Sequence, residues 1–212
     1  TYSSLVDMID PICSAAAYAH DRNIVHLDIK PSNILFSGEL PYLADWGGCS
    51  TPEVDSTHSR GTFLFNAPEQ QLATDPTQKD LYHPFTDTYA IGLMLYRIIT
   101  ANYTSPTFTD GSRAVYHPFK DEQVLSVGAG LPEQSKLLAH LRIMTSRRMN
   151  RRIPTSEIPA ALRYALEHDM NKGIINPDRT IPKKSQIPVL KLKRFEDEVT
   201  LSWLTREHTD II

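Results

Sequence analysis

Apolar residues recur every three or four positions over the first twenty residues of the chain, a period that predicts a helix with one buried face. Pro11 lies within this stretch. Either Asp10 and Pro11 open the helix as its cap and first residue, or Pro11 kinks a longer helix that begins near Ser3 or Ser4. The apolar face is formed by Leu5, Met8, Ile9, Ile12, Ala15, Ala16 and Ala19.

Two short apolar runs, at 34–36 and 41–44, are separated by a segment that contains Gly38. Glycine supplies the turn and the apolar runs supply the strands, so the pattern predicts a β-hairpin. Antiparallel pairing about this turn brings the residue just before the first run close to the residue just after the second run. Asn33 and Asp45 hold those two places. We therefore expect their side chains to converge.

The pattern predicts further elements along the rest of the chain. The most apolar stretch, at about 87–100, is interpreted as a buried helix, because it contains Arg97 and is too short to cross a bilayer. A strand is expected at 23–26, a short helix and a polar connection at 70–86, an amphipathic helix at about 133–147 and another helix at about 156–168. A mobile loop is expected at 45–69, mostly loop at 101–133 and an extended linker at 171–188. The stretch at 190–205 could be strand or helix.

Length and composition indicate one globular core with a tail, since the chain has 212 residues and 41% hydrophobic content. A net charge of -3 and a pI of about 6.2 give no overall basic surface for nucleic acid or an anionic membrane. The two cysteines, Cys13 and Cys49, form no CxxC pair, and the sequence shows no signal-peptide pattern. Both features are typical of a protein from the reducing cytoplasm. The histidines form no metal-ligand motif, which argues against a zinc site.

The segment around the predicted hairpin carries the strongest candidate chemistry. Asn33 and Asp45 offer an amide oxygen and a carboxylate, which are hard ligands suited to Mg²⁺, an ion that takes further ligands from water and substrate phosphates. Asp28 and Lys30 lie just upstream on the same loop. They place a proton acceptor and a fixed positive charge beside that metal. The segment is therefore interpreted as a phosphoryl-transfer centre.

The residues of this centre also carry a family resemblance. Residues 26–33, His-Leu-Asp-Ile-Lys-Pro-Ser-Asn, and residues 45–47, Asp-Trp-Gly, resemble the catalytic loop HRDLKxxxN and the metal loop DFG of eukaryotic-type protein kinases. Three later segments also resemble this family at matching spacing. They are 61–69, similar to the end of an activation segment with its Ala-Pro-Glu triplet; 87–92, similar to the start of the buried helix of the large lobe; and 152–155, similar to the arginine segment near the end of that lobe.

The resemblance implies a mainly α, α+β kinase fold, in which a helical large lobe (C-lobe) carries a short β-hairpin at the active site. It covers roughly residues 3–165, so we assign 1–166 to this lobe and 167–212 to a linker and tail of unknown structure. The small lobe (N-lobe) is absent, because no glycine-rich loop, strand lysine or partner glutamate helix precedes Thr1. We therefore expect a C-terminal fragment of a longer kinase that is nearly inactive alone. The resemblance also favours the longer, kinked version of the first helix.

The same resemblance implies a role for each residue of the centre. Asp28 would accept or orient the proton of the substrate hydroxyl, and Lys30 would neutralise charge on the transferred phosphoryl group. Asn33 and Asp45 would hold the Mg²⁺ of bound ATP. Thr62 falls where serine/threonine kinases place a threonine that contacts the catalytic aspartate. Together with Lys30, two residues after Asp28, it points to serine or threonine as the acceptor.

Four more residues have structural roles by resemblance. His26 is a member of the core rather than a base. Glu69 and Arg152 form the ion pair that ties the activation segment to the lobe. Asp87 bonds to backbone N–H groups of the catalytic loop and thereby holds the catalytic aspartate in place.

The chain departs from the family pattern at two positions. Leu27 stands where an arginine commonly receives a phosphorylated activation-loop residue. Leucine cannot bond to a phosphate, so we expect activity that does not need activation-loop phosphorylation. Trp46 replaces the usual phenylalanine after the metal aspartate, and it keeps a large apolar wedge against the core. Neither departure removes a metal ligand or a proton-transfer group.

These observations predict a cytoplasmic serine/threonine protein kinase that uses ATP and Mg²⁺ and phosphorylates a protein substrate. No nucleic-acid partner and no membrane segment in this chain are expected. The main alternative is a non-catalytic interaction module of kinase ancestry, and the complete set of Asp28, Lys30, Asn33 and Asp45 argues against it. A small-molecule phosphotransferase of related fold is a further alternative, disfavoured by the complete activation segment.

Overall fold

The computed structural model describes residues 2–51, 62, 65–72, 82–100, 131–176, 189–195 and 198–204. Most of the described elements are helices, and the strands form one antiparallel sheet, so the predicted mainly α fold with a short hairpin is confirmed. No helix in these ranges is long and apolar enough to cross a membrane. The helices are α1 (Tyr2–His20), α2 (Pro68–Leu72), α3 (Pro84–Thr100), α4 (Lys136–Met144) and α5 (Ile158–Asn171); the strands are β1 (Ile34–Ser37), β2 (Leu40–Leu43), β3 (Val189–Phe195) and β4 (Glu198–Leu204).

Helix α1 is the longer of the two versions that the sequence allowed, because Pro11 lies inside it. Its predicted apolar face is buried, with Ile9, Ile12 and Ala16 fully shielded from solvent. Cys13 joins this face. Burial raises the pKa of the Cys13 thiol, with a smaller contribution from the nearby charge of Asp10, so the thiol stays neutral and acts as a core side chain.

Helix α3 lies at the centre of the core and is buried along most of its length. It packs against α4, while α4 contacts α5 and α5 contacts α1. Gly92 permits the close approach of α3 to the end of α4. A Cβ atom on Gly92 would lie only 2.8 Å from the Cβ of Met144 and 2.9 Å from Cγ2 of Thr145. A larger residue would therefore push the two helices apart.

The predicted hairpin forms as expected from its turn signal. Strands β1 and β2 pair antiparallel, with Ile34 opposite Leu43, and Gly38 adopts φ 59° at the turn. Strand β2 contacts α1, which places the hairpin on the helical core. The sequence allows either strand or helix at 190–205, and the described part of this segment is strand. Strand β3 pairs with β4, and β4 pairs with β1. The sheet order is β2-β1-β4-β3.

The prediction of a strand at 23–26 was wrong. Val25 makes only an isolated bridge with Ser50. Asn23 and Leu27, on either side of it, have φ angles of 57° and 69°, and this left-handed backbone cannot continue a strand. The bridge still joins the start of the catalytic loop to the chain that follows the metal loop.

Several predicted boundaries differ by a few residues. Helix α3 begins at Pro84 instead of 87, and α4 begins only after Ser135, whose hydroxyl accepts a hydrogen bond from the N–H of Leu138 as its N-cap. Helix α5 spans Ile158–Asn171 instead of 156–168. The predictions for 101–130 and for most of 52–81 and 177–188 lie outside the described residues.

Candidate active site

Asp28, Lys30 and Thr62 form a compact polar cluster. The ammonium group of Lys30 donates to Oδ2 of Asp28 at 2.7 Å and to Oγ1 of Thr62 at 2.6 Å. The backbone N–H of Thr62 donates to Oδ1 of Asp28 at 2.7 Å. Both carboxylate oxygens of Asp28 are therefore held, and Thr62 reaches Asp28 as the resemblance implied.

The environment of Asp28 has opposing effects on its pKa. Partial burial raises the pKa of the carboxyl, but hydrogen bonds from Lys30 and Thr62 and the positive charge of Lys30 outweigh that effect and hold the pKa below its ordinary value. Asp28 is therefore ionised at neutral pH. An ionised carboxylate can accept a hydrogen bond from a hydroxyl and orient it, which suits positioning better than strong-base chemistry.

Asn33 is joined to the same cluster through its side-chain amide. Its Nδ2 atom donates to the backbone oxygen of Asp28 at 2.8 Å and to Oδ2 of Asp28 at 3.2 Å. Both partners are pure acceptors, which identifies the contacting atom as the amide nitrogen. The Oδ1 atom takes part in neither of these two bonds. The donor set of the site thus retains the hard oxygen that a magnesium ion would need.

The hairpin brings the two predicted metal ligands to the same end. The N–H of Ala44 donates to the backbone oxygen of Asn33 at 2.9 Å, and Asp45 follows immediately. Asp45 is exposed and has φ 64°, a left-handed backbone that an aspartate tolerates better than most residues. This turn ends the strand and leaves the carboxylate at the surface, which agrees with a ligand that binds an ion from solvent.

His26 joins the catalytic loop to the metal loop. Its Nδ1 atom accepts the N–H of Asp28 at 3.3 Å, so the proton of the neutral ring lies on Nε2, which donates to the oxygen of Ala44 at 2.9 Å. Trp46 packs on the core and contacts the imidazole, with 4.6 Å between ring centroids. The indole N–H donates to the oxygen of Leu43. The buried position and these bonds agree with the structural role implied by the resemblance.

Asp87 holds the backbone just before Asp28. Its two carboxylate oxygens accept the N–H groups of His26 and Leu27, each at 2.9 Å. His20 lies 2.8 Å from Oδ2 of Asp87 through Nε2 and 3.1 Å from the hydroxyl of Thr155 through Nδ1. The contact from Asp87 to the loop is the one that the resemblance implied. The link through His20 to Thr155 extends it to the segment before α5.

Glu69 and Arg152 form the expected ion pair. The guanidinium donates to both carboxylate oxygens, at 2.6 and 2.9 Å, and Arg152 is buried. Two backbone oxygens, of Ser146 and Phe85, accept two further N–H groups of Arg152. A hydroxyl from Thr86 also donates to Glu69. This bidentate pair ties α2 to the segment between α4 and α5.

Sequence reasoning missed several residues of this network, among them His20, Gln70 and Thr86. Gln70 donates from Nε2 to the backbone oxygen of Leu27 at 2.8 Å. It directly follows the Ala-Pro-Glu triplet, which was the available signal, but a glutamine in a helix is usually solvated. His20 ends α1, and nothing in its local pattern indicates the partner 67 residues away.

Comparison with known proteins agrees with this geometry. A family model described as a protein kinase domain matches residues 2–160. An Aurora kinase from Dictyostelium discoideum is 24% identical over 181 residues, covering 84% of this chain and 42% of its own length. A probable protein kinase from the same organism is 34% identical over 96 residues, covering 45% of this chain and 25% of its own length.

A bacterial relative is also described as a protein kinase. The serine/threonine-protein kinase PknL from Mycobacterium tuberculosis is 29% identical over 136 residues, covering 62% of this chain and 33% of its own length. The chain thus spans less than half the length of each of these relatives. Because the family match extends over most of the chain and includes every residue of the candidate site, this chain belongs to the protein kinase domain family.

Proposed function

We propose that the complete protein carrying this chain transfers the γ-phosphoryl group of ATP to a serine or threonine of a protein substrate. The observation that carries the proposal is the cluster of Asp28, Lys30 and Thr62, in which an ionised carboxylate, a cation and a hydroxyl meet within hydrogen-bond distance. These are the groups that phosphoryl transfer to a hydroxyl requires. A cytoplasmic location and the absence of a nucleic-acid partner remain parts of this proposal.

In the proposed reaction, Asp28 accepts a hydrogen bond from the substrate hydroxyl and points its oxygen at the phosphorus. Lys30 is bonded to Asp28 and lies on the same side, where its charge would compensate the negative charge that develops on the transferred group. Thr62 helps to hold that charge in position, since its hydroxyl accepts a hydrogen bond from Lys30. These contributions are mostly positioning and electrostatics, because the transition state for phosphoryl transfer is loose.

The residues present fit a bound magnesium ion. Asn33 would supply Oδ1, because its Nδ2 is committed to Asp28, and Asp45 would supply an exposed carboxylate. When bound with ATP, the ion would neutralise charge on the phosphates. Within this chain, the bond between Ala44 and Asn33 and the left-handed turn at Asp45 prearrange the two ligands.

The acceptor specificity rests on the contacts of Lys30 and Thr62. Lys30 lies two residues after Asp28, and Thr62 binds both residues, an arrangement that resembles serine/threonine kinases. Names of the relatives agree, since PknL is described as a serine/threonine-protein kinase. We therefore propose serine and threonine, in preference to tyrosine, as acceptors in a protein substrate.

The proposal is tested with the complete protein, ATP and Mg²⁺, using pools of serine, threonine and tyrosine peptides. We expect labelling of the serine and threonine pools only. Asp45→Asn should remove nearly all turnover, because it weakens one metal ligand, and Asp28→Ala should lower kcat by about 100-fold or more with little change in ATP binding. Wild-type turnover in the Asp45→Asn protein would contradict the metal assignment. A folded wild-type protein without any transfer would favour the non-catalytic alternative.

A further inference from the structure

Gln70 is buried, with 3% of its surface exposed, and both ends of its side chain bind backbone. Its Oε1 atom accepts the N–H of Ala67 at 2.9 Å, and its Nε2 atom donates to the oxygen of Leu27 at 2.8 Å. An N–H can only donate and a carbonyl oxygen can only accept, so the orientation of the amide is determined by its partners. Gln70 therefore makes one bond within its own segment and one to the catalytic loop.

The partner of Gln70 on the loop has an unfavourable backbone. Leu27 is buried and has φ 69°, a region that residues with a Cβ atom seldom occupy. Such a conformation persists only where the surroundings hold it. Asp87 holds the N–H of Leu27, and Gln70 holds its carbonyl oxygen.

The same carbonyl belongs to the peptide unit that leads into Asp28. The other end of that unit, the N–H of Asp28, donates to Nδ1 of His26. The peptide bond before Asp28 is thus bonded on both sides, by Gln70 at the oxygen and by His26 at the nitrogen. Because a peptide unit is planar and includes the next Cα atom, these two bonds hold the plane in which the Cα atom of Asp28 lies.

Glu69 and Gln70 are neighbours with different partners. Glu69 is paired with Arg152 on the body of the lobe, whereas Gln70 reaches the catalytic loop. The short helix α2 is therefore tied to both. A residue that only filled space would not need a donor and an acceptor aimed at two separate backbone segments.

We propose that Gln70 is a positioning residue for the catalytic aspartate, and that it couples the end of the activation segment to the left-handed turn at Leu27 and so to the orientation of Asp28. This inference rests on the proposed kinase function. The two hydrogen bonds of its side chain go to backbone atoms, those of Ala67 and Leu27. It acts on the reaction through the peptide bond between Leu27 and Asp28.

The decisive variant is Gln70→Glu in the complete protein. An ionised glutamate has no proton to donate and faces the oxygen of Leu27, whereas a protonated glutamate restores a donor at nearly the same place. Burial favours the protonated form of such a glutamate, so its charge state changes within the accessible pH range. In this variant, the hydrogen bond to Leu27 is therefore present at low pH and lost at high pH.

Near pH 8 we expect the kcat of Gln70→Glu to be about 10- to 100-fold lower than the wild-type kcat at the same pH. As the pH is lowered toward about 6, the ratio of the two kcat values should rise back toward one. The KM for ATP should stay within about threefold of the wild-type value, because the substituted residue is not a ligand. Gln134→Glu is the matched control, with the same charge change at an exposed glutamine. The ratio of its kcat to the wild-type kcat should not depend on pH.

A second variant covers the case in which Gln70→Glu does not fold. Gln70→Met has similar length and flexibility but loses both hydrogen bonds at every pH, so its kcat should be lowered by a similar factor without recovery. Amide hydrogen exchange then separates positioning from general stability. Exchange at Leu27 and Asp28 should accelerate more than exchange in α3.

The outcomes distinguish this inference from the proposed function. If the wild-type protein transfers no phosphoryl group but the Gln70→Met variant still loosens the amides of Leu27 and Asp28, the proposed function fails and the coupling stands. If kcat is unchanged in both Gln70 variants, Gln70 is not a positioning residue. Uniform acceleration of exchange across the chain would also overturn the inference, because it would indicate a purely structural role.

Discussion

Two buried aspartates, Asp87 and Asp169, make almost the same set of bonds in different regions of the molecule. Asp87 is 1% exposed and accepts the N–H groups of two consecutive residues, His26 and Leu27. Asp169 is 0% exposed and accepts the N–H groups of Lys136 and Leu137. Each also contacts one further side chain through Oδ2: His20 for Asp87 and Ser135 for Asp169.

The two aspartates bind backbones that differ in conformational preference: one is favourable by itself and the other is not. Asp169, on α5, binds the first turn of α4, where helical N–H groups have no partner within the helix and where a negative charge is favourable. Asp87 binds a loop in which Leu27 is left-handed. Asp169 therefore stabilises a backbone that is already favourable, whereas Asp87 maintains one that is not. The same bonds serve fold stability in one place and active-site geometry in the other.

The largest expected effect concerns a third carboxylate, that of Glu69. It binds the side-chain cation of Arg152 instead of backbone N–H groups. Replacing Arg152 with methionine leaves the carboxylate of Glu69 with only the hydroxyl of Thr86 among its described partners. We expect the free energy of unfolding to fall by about 3 to 5 kcal/mol. Denaturant unfolding of this chain measures it. Replacing the exposed Arg163, whose partner is Asp10, is the matched control and should change stability by less than about 1 kcal/mol.

Asp87→Asn is expected to reduce kcat by about 100-fold or more in the complete protein, because an amide can accept one of the two loop N–H groups and must turn its own donor toward the other. The matched change at the second site, Asp169→Asn, should leave kcat within about threefold of the wild-type value. Turnover at saturating ATP and peptide measures both. Equal losses of kcat in the two variants would mean that the comparison does not separate catalysis from stability.

Asp169→Asn should instead lower the free energy of unfolding by about 1 to 3 kcal/mol at neutral pH. The asparagine leaves a buried donor of α4 without an acceptor, and Ser135 loses a charged partner. Guanidinium unfolding followed by circular dichroism gives the change. A stability equal to that of the wild-type chain would show that Ser135 alone is a sufficient cap for α4.

The smallest expected effect is the pH dependence of that difference. Burial raises the pKa of Asp169, but hydrogen bonds from Ser135, Leu137 and Lys136 and the contact with His168 outweigh it and hold the pKa below the ordinary 3.8. A lowered pKa in the folded state means that the stability from this carboxylate is present above pH 3.8 and is lost as the pH falls through the folded value.

We therefore expect the stability difference between the wild-type chain and Asp169→Asn to be constant at mildly acidic pH and to shrink below pH 3.8. Urea unfolding at several pH values measures it. The carboxyl of Asp28 also has a lowered pKa, but it is present in both proteins and does not affect the difference. A difference that grows on acidification would contradict the assigned direction.

The sequence by itself predicted the parts of the molecule that depend on short spacings. The period of three or four residues gave α1, the turn at Gly38 gave the β1–β2 hairpin, and the hairpin placed Asn33 beside the residue before Asp45. The resemblance supplied the partners of Thr62, Glu69 and Asp87. These inferences use signals that act over a few residues or motifs that occur in a known order.

Only the tertiary structure showed which residues hold the catalytic loop in its unusual backbone. Gln70 meets Leu27 across 43 positions of sequence, and His20 meets Asp87 across 67. The failed strand at 23–26 has this origin in part, because the left-handed backbone at Leu27 is held by distant partners, whereas that at Asn23 follows the end of α1, where the N–H of Asn23 donates to the oxygen of His20. Helical period and turn chemistry are local, whereas the bonds that stabilise an unfavourable backbone come from whichever elements pack around it.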